Sequence, residues 1–315
     1  MRNFAITGVA GYIAPRHLQA IKETGNNLIA AMDTHDSVGI LDSFFPNVSF
    51  FTEYERFDRH LEKIRRADES NKLHYLSICS PNYLHDAQIR LALRLGANAI
   101  CEKPLVLNPR NLDALEYIQE ETGKKVYNIL QLRVHPALIK LKEQIQKNPI
   151  KSKYDVILTY ITSRGPWYQY SWKGNPEKSG GIVFNIGIHF FDLLIWLFGK
   201  PVNFEVYLSE SKKKSGFIEL ENANVRWFLS IDKDDLPNQA IELNQSTYRS
   251  ITINTEEIEF TKGFTNLHTQ VYQNILEGNG FGIDDVRPSI EIAYQIRNAN
   301  LTTNRKNPHY YLKKI

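Results

Sequence analysis

Only two cysteines occur in 315 residues, Cys79 and Cys101. Each ends an apolar run that reads as a buried strand, so no disulfide framework is available and a reducing, cytoplasmic compartment is expected. An excess of either charge is also missing. Lys and Arg number 38 against 35 Asp and Glu, a balance that gives no field to draw nucleic acid or an anionic membrane as the main partner. The one basic run, Lys212-Lys213-Lys214, reads as a solvated turn. Long apolar stretches are lacking too: the longest, Phe190 to Phe198, is interrupted by Asp192 and too short to cross a bilayer, so no membrane role is expected. The opening Met1-Arg2-Asn3-Phe4-Ala5-Ile6 enters a strand pattern at once, and no signal peptide is expected there. Internal repeats and low-complexity linkers are absent.

What the chain does contain is a change of texture along its length. At 315 residues it exceeds the size at which one core usually stops growing, so two domains are expected. The first part alternates short apolar runs with longer amphipathic stretches, as repeated βαβ units do. Strands are predicted at Phe4–Thr7, Leu28–Met32, Tyr75–Cys79, Asn98–Cys101 and Val126–Ile129. Helices with apolar residues three and four apart are predicted at Arg16–Glu23, His85–Leu95 and Pro109–Glu121. After about Asn128 the strand-like runs crowd together, at Tyr154–Ser163, Phe204–Ser209, Gly216–Glu221, Val225–Ile231, Ser250–Asn254 and Glu256–Phe260, several joined by hairpin-length turns. Helical patterns fall at Pro136–Gln146, Asn185–Phe198, Leu267–Glu277 and near Arg287–Ala299. The expected fold is an α/β Rossmann domain with a doubly wound parallel sheet over 1–128. An α+β domain with a largely antiparallel open sheet is expected over 129–315.

The first strand runs directly into Gly8-Val9-Ala10-Gly11-Tyr12-Ile13-Ala14, a glycine-containing turn that opens a helix. Backbone N–H groups and the helix dipole can hold a pyrophosphate there, so Gly8, Ala10, Gly11, Tyr12 and Ile13 are expected to bind a dinucleotide. Ala10 and Ile13 stand where the strict pattern has glycine, and a tight turn without a ligand fits the loop as well. The second strand ends at Asp33, near the distance expected for the acid that binds the adenosine ribose. Neither Thr34 nor His35 supplies an arginine to neutralise a 2′-phosphate, so NAD is expected over NADP. A capping aspartate is the simpler alternative. At the carboxyl end of the Tyr75–Cys79 strand lies Ser80-Pro81-Asn82-Tyr83-Leu84-His85, where open α/β sheets place ligands. Ser80, Asn82 and His85 are expected to line the cofactor groove.

These features, followed by Glu102-Lys103-Pro104 and by Gly180-Gly181-Ile182-Val183-Phe184-Asn185-Ile186-Gly187-Ile188-His189-Phe190-Phe191-Asp192, resemble the glucose-fructose oxidoreductase, inositol dehydrogenase and MocA (Gfo/Idh/MocA) family. The resemblance spans nearly the whole chain. It is similar in particular to the family's UDP-N-acetylglucosaminuronate 3-dehydrogenase branch, through Ala10–His17, Asn128–Arg133, Thr159–Gly165 and Tyr248–Thr252. The resemblance implies oxidation at C3 of a nucleotide-linked sugar acid, NAD as cofactor, a homotetramer, and 2-oxoglutarate as a possible acceptor for NADH. Many relatives carry Asp where this chain has Asn185.

Oxidising a secondary alcohol requires a hydride acceptor and a group that takes the hydroxyl proton. Lys103, at the carboxyl edge of the sheet, can polarise the oxygen and stabilise developing alkoxide. Glu102 orients that lysine or contacts cofactor. Asn185 and His189 are four apart, so one helix face presents both, with Asp192 a further three along. His189 is read as general base, with Asp192 fixing its tautomer or binding a sugar hydroxyl. The reverse division, Lys103 as base and His189 as hydrogen-bond partner, fits the same residues, and a packed core histidine is the plainer alternative. A sugar acid with a diphosphate needs cations and donors, for which Arg133, Arg164 and Lys173 are candidates. Trp167, Tyr168 and Trp172 can stack on a sugar or base, and Gln131 is expected to face cofactor and substrate. His17 and His135 fit packing or capping and are left outside the catalytic set. An inositol or hexose dehydrogenase and a non-catalytic dinucleotide-binding regulator are the competing functions.

Overall fold

The computed structural model describes residues 1–67, 72–147, 152–258, 266–305 and 307–313. The chain forms two compact units, one of Met1–Val134 with Thr265–Arg287 and one of His135–Phe264 with Pro288–Ile315.

The first unit is built on a six-stranded parallel sheet. Its strands are β1 (Asn3–Thr7), β2 (Asn27–Met32), β3 (Ser49–Phe51), β4 (Tyr75–Ile78), β5 (Asn98–Cys101) and β6 (Val126–Asn128), in the order β3-β2-β1-β4-β5-β6. The order reverses between β1 and β4, which opens a crevice at the carboxyl ends of these strands. Central strands are buried on both faces, so they read as continuous apolar runs, and all four residues of β4 are buried. The predicted strands and helices of this half are present, with ends shifted by a residue or two. Among the described residues of this half, three elements apart from 3₁₀ turns were not anticipated: β3, the helix Ile40–Phe44 and the helix Tyr54–Arg66. β3 is three residues long and only half buried, and the helix Tyr54–Arg66 buries only Phe57 and Leu61 on an otherwise charged surface.

The unit does not stop at residue 128, where the sequence reading places its boundary. It runs on to Val134 and takes back the segment Thr265–Arg287. The reason is apolar: helix Leu267–Leu276 buries Leu267, Val271, Tyr272 and Ile275. It packs on helix Ala14–Glu23, and Tyr272 stacks on Phe4 of β1 with centroids 5.9 Å apart.

The second unit carries β7 (Tyr154–Thr162), β8 (Pro201–Ser209), β9 (Lys213–Leu220), β10 (Ala223–Ser230), β11 (Thr247–Ile253) and β12 (Glu256–Glu257), in the order β12-β11-β7-β10-β9-β8. Only the β7–β10 pair is parallel among these, so the sheet is largely antiparallel, as expected. The strand predicted at Glu256–Phe260 survives as β12, and residues 259 and 260 lie outside the described residues. The last long helix starts earlier than predicted, spanning Ile283–Asn298 with Pro288 inside it.

Along β10, Ala223, Val225 and Trp227 are buried while Asn224 and Arg226 are partly exposed, the alternation of a sheet with one covered face. The cover is helix Ile188–Phe198, whose Phe190, Phe191 and Phe198 meet Tyr160, Trp227 and Tyr154 at 4.8, 5.5 and 5.4 Å. Gly187 permits that approach, since a Cβ there would lie 2.6 Å from Leu229. The run Pro176–Phe198 is longer and more apolar than the sequence reading allowed, 23 residues whose most apolar 18-residue window has a mean hydropathy of 1.8. Some 78% of its most apolar window is buried inside the protein, as for a core helix.

Candidate active site

In the first unit the glycine loop is locked between β2 and the segment after β4. Gly8 has φ +74, and a Cβ on it would lie 2.5 Å from the backbone of Cys79 and Ser80. No other residue fits that position without moving the Ser80 segment. The loop then enters helix Ala14–Glu23, with Gly11 donating to the Gly8 carbonyl at 3.0 Å and Tyr12 exposed. Asp33, at the end of β2, accepts from the amide of Ala10 on Oδ2 and from that of His35 on Oδ1, both at 3.0 Å. Ala10 is thus turned toward Asp33, which holds the loop in place while each oxygen keeps a further lone pair for a ribose hydroxyl.

Ser80 and Asn82 are both buried, and Ser80 donates to Oε1 of Gln88 at 2.7 Å, an oxygen that also receives Thr7 at 2.6 Å. His85 is fully buried behind them. Its Nδ1 lies 2.7 Å from the Pro104 carbonyl and its Nε2 2.9 Å from that of Ser80, so it ties the Ser80 segment to the one that carries Lys103. Burial lowers its pKa, opposed by those two carbonyls. Gln131 has a buried Oε1 without a hydrogen-bond partner among the described residues. An orphaned buried acceptor calls for a donor that the chain does not itself provide. This orphan, the glycine cradle and the placement of Asp33 fit a dinucleotide.

Lys103 follows β5 at its carboxyl end. Asn128 steadies the strand end by donating to the carbonyls of Cys101 and Glu102 at 2.8 and 3.2 Å. Glu102 itself points into the core. Its Oε1 lies 3.0 Å from Nε2 of His17 and 3.0 Å from Nε2 of His268, and its Oε2 accepts from the backbone amide of Lys103 at 3.2 Å. Burial pushes the Glu102 carboxyl up, but the imidazole hydrogen bonds outweigh it and hold the group well below the ordinary carboxylate value. Burial in turn lowers the pKa of His17 more than Glu102 raises it. The cluster is therefore a buried carboxylate held between two imidazole rings. His17, set aside in the sequence as a packing residue, and His268, not singled out at all, both belong to it. The available signal for His17 was its place on the buried stripe Ala14, His17, Leu18, Ile21 of its helix.

Arg133 is turned inward: it pairs with Asp285 at 3.2 Å, donates to the Asp285 carbonyl at 2.8 Å and lies over the Phe281 ring.

In the second unit the predicted helix over Asn185–Phe198 begins as a single π-turn, Val183–Gly187, before the α-helix Ile188–Phe198. Asn185 and His189 are partly accessible while the three residues between them are buried, so the two share a face, and Asp192 is buried. Asn185 donates to the Tyr168 hydroxyl at 2.9 Å and to the Lys173 carbonyl at 3.2 Å. It thereby joins that helix to the aromatic segment. Burial pushes the Tyr168 phenol up to about 12. The Lys173 ammonium lies over the rings of Trp172 and Trp167 at 4.8 and 5.7 Å, and burial, then Arg164, lowers its pKa. Trp167 is 53% exposed and Arg164 is exposed, so a face of stacking surface and positive charge is open to solvent.

Comparison with known proteins gives these features a context. The crystal structure of the WlbA (WbpB) dehydrogenase from Thermus thermophilus in complex with NAD and UDP-GlcNAcA is 50% identical, with TM-score 0.94, over 99% of this chain and 100% of that one. The same enzyme in complex with NAD and alpha-ketoglutarate is 51% identical with TM-score 0.95, at the same coverage. Among curated relatives, the uncharacterized oxidoreductase YgjR of Escherichia coli is 23% identical over 206 residues, 64% of this chain and 60% of its own length. The matched stretch thus spans less than two thirds of that relative. An oxidoreductase-family model with an NAD-binding Rossmann fold matches residues 2–129, and its partner, the oxidoreductase-family C-terminal alpha/beta domain, matches residues 142–233. Covering well over half of the sequence and agreeing with both sheets, these matches place the chain in the Gfo/Idh/MocA oxidoreductase family.

Proposed function

We propose that the chain oxidises the C3 hydroxyl of UDP-N-acetyl-D-glucosaminuronate to the 3-keto sugar with NAD. The observation that carries this reading is the whole-length match, 50% identical, to a dehydrogenase crystallised with NAD and UDP-GlcNAcA. The aromatic and cationic segment around Arg164, Trp167, Trp172 and Lys173 supports it, because a nucleotide-sugar acid offers a carboxylate, a diphosphate and stacking faces.

Gly8 to Ile13 with the following helix start would hold the pyrophosphate, Asp33 the adenosine ribose, and Ser80, Asn82 and Gln131 the rest of the cofactor. When bound, NAD supplies the hydride acceptor. Lys103 polarises the C3 oxygen and stabilises the negative charge that grows on it as hydride leaves C3. His189 accepts the hydroxyl proton, so the alcohol loses one hydride and one proton and becomes a ketone. Asp192 fixes the ring of His189, and Asn185 with Tyr168 holds the sugar-binding segment against the same helix.

The reading extends in three directions. Because a relative was crystallised with alpha-ketoglutarate, 2-oxoglutarate is the acceptor that regenerates NAD in place, taking hydride at its keto carbon and a proton on oxygen to give the 2-hydroxy acid. The partly exposed outer face of the second sheet, with Ile157, Phe217 and Arg226, supports assembly as a homotetramer. A 3-keto sugar acid is the substrate form for amination at C3, on the route to diacetamido uronic acids of surface polysaccharide, in a reducing cytoplasm that suits two buried free cysteines.

The deciding experiment follows NADH formation by the purified protein with UDP-N-acetylglucosaminuronate. Absence of reduction, even with 2-oxoglutarate and a downstream aminotransferase present to draw off product, would sink the proposal.

A further inference from the structure

We propose that His17 and His268 are positioning residues for Lys103, acting through Glu102, so that the helix after the glycine loop sets where the lysine enters the active site. This deepens the dehydrogenase reading and rests on it for the role of Lys103.

A buried carboxylate is expensive, and a fold keeps one only where its donors are fixed. Glu102 receives three: Nε2–H of His17, Nε2–H of His268 and the amide of Lys103, at 3.0, 3.0 and 3.2 Å. The proton inventory closes in one direction. With Nε2–H of His17 donated to Glu102, its Nδ1 must accept, and the Tyr272 hydroxyl lies 2.7 Å away to donate. The Tyr272 oxygen then accepts from the Ser77 hydroxyl at 2.7 Å. A relay thus runs from Ser77 on β4 through Tyr272 and His17 to the backbone of the catalytic segment, and it fixes both the tautomer and the ring orientation of His17.

Three elements converge on one carboxylate: the helix that receives the pyrophosphate loop, through His17; helix Leu267–Leu276, through His268 and Tyr272; and the strand end that bears Lys103. The two imidazoles also stand edge to face with centroids 5.1 Å apart. The three ligand atoms also lie within 4.8 Å of one another, the arrangement of a metal site. The hydrogen-bond reading is preferred because every polar atom of the relay from Ser77 to Glu102 is accounted for without an ion.

The test compares His17→Leu with His17→Gln in the full-length holoenzyme. Glutamine can donate its amide to Glu102 and accept from Tyr272, whereas leucine can do neither. Expected is a fall in kcat of about 10- to 100-fold for the leucine variant, with NAD dissociation constant and sugar KM within about threefold of the parent. His17→Gln should recover most of the loss. A folded leucine variant with parental kcat would overturn the proposal, as would stoichiometric metal in the purified protein. If the leucine variant does not fold, ¹⁵N spectra of the unaltered holoenzyme at neutral pH decide: His17 must appear as a neutral ring protonated on Nε2, and an imidazolium or the opposite tautomer overturns the assignment. Those spectra require no turnover, so their outcome is separate from failure of the dehydrogenase reading.

Discussion

The amide nitrogen of Asn185 donates to the hydroxyl of Tyr168 at 2.9 Å, and the same nitrogen reaches the Lys173 carbonyl at 3.2 Å. A carboxylate cannot donate to a carbonyl, which gives a physical reason for Asn at this position. Asn185→Asp should leave the Lys173 carbonyl facing negative charge and loosen the aromatic segment. Expected are a stability loss of about 1–3 kcal/mol in urea melts and a rise in KM for the nucleotide sugar. NAD affinity should not move. Unchanged sugar KM would separate Asn185 from substrate binding.

Gly8 has no room for a side chain. With φ +74 and a Cβ 2.5 Å from the Cys79 and Ser80 backbone, Gly8→Ala forces apart the two segments that flank the cofactor crevice. A loss of at least about 2 kcal/mol in stability is expected, together with weaker NAD binding. Thermal melts with and without NAD check both. An alanine variant that melts and binds like the parent would mean that the loop yields without affecting the cofactor.

Much of this arrangement is legible in the sequence, and the exceptions have physical causes. The strands of the parallel sheet announce themselves because burial on both faces makes them apolar throughout, and the sharp turn at Gly8 follows from a strand running straight into a helix. β3 escapes notice because Ser49–Phe51 is short and half exposed, so neither run length nor alternation marks it. The π-turn at Val183–Gly187 adds backbone that a 3.6-residue period cannot register, although Asn185 and His189 still end on one face. The least legible feature is the Glu102 cluster. His268 is 166 residues away from Glu102 in sequence, and no local pattern in Leu267–Leu276 distinguishes that histidine from a packed one.

Asp33 serves the loop and the cofactor together. Removing its carboxylate in Asp33→Ala frees the amides of Ala10 and His35 and removes the charge that repels a 2′-phosphate. NAD binding should weaken, and the preference for NAD over NADP should narrow by about tenfold, equivalent to about 1.4 kcal/mol. Titration with both cofactors measures it. A preference unaltered in the variant would assign discrimination to another residue.

His309 gives a pH signature in the second unit. Burial, reinforced by Arg226, lowers its pKa to about 3. The neutral ring is satisfied: Nε2 faces the Thr159 hydroxyl at 3.0 Å and Nδ1 accepts from the Tyr311 amide at 3.2 Å. Protonating Nδ1 would oppose two N–H groups. The unfolded chain therefore binds a proton that the folded chain refuses between about pH 6.5 and about 3, so this contribution is complete above the upper value and lost as pH falls through the window. One proton gives a slope of at most about 1.4 kcal/mol per pH unit. His309→Phe, which keeps the stack on Phe228 and Tyr311, should flatten the acid limb of stability against pH relative to the parent. Parallel curves for the two proteins would show that His309 is protonated without penalty.

Lys103 and His189 are assigned complementary tasks, one stabilising charge on the C3 oxygen and the other taking its proton, and a double-mutant cycle tests whether those tasks meet on one hydroxyl. Lys103→Met and His189→Asn should each lower kcat by about 10²- to 10⁴-fold, the range for loss of an acid–base group or an oxyanion partner. Residues that act on the same bond do not contribute independently. The double variant should therefore fall little below the worse single variant, with NAD binding retained in all three. Losses that multiply would assign the two residues to separate steps. If Lys103→Met keeps near-parental turnover, the lysine is not the polarising group, and the positioning network built around Glu102 loses its catalytic purpose.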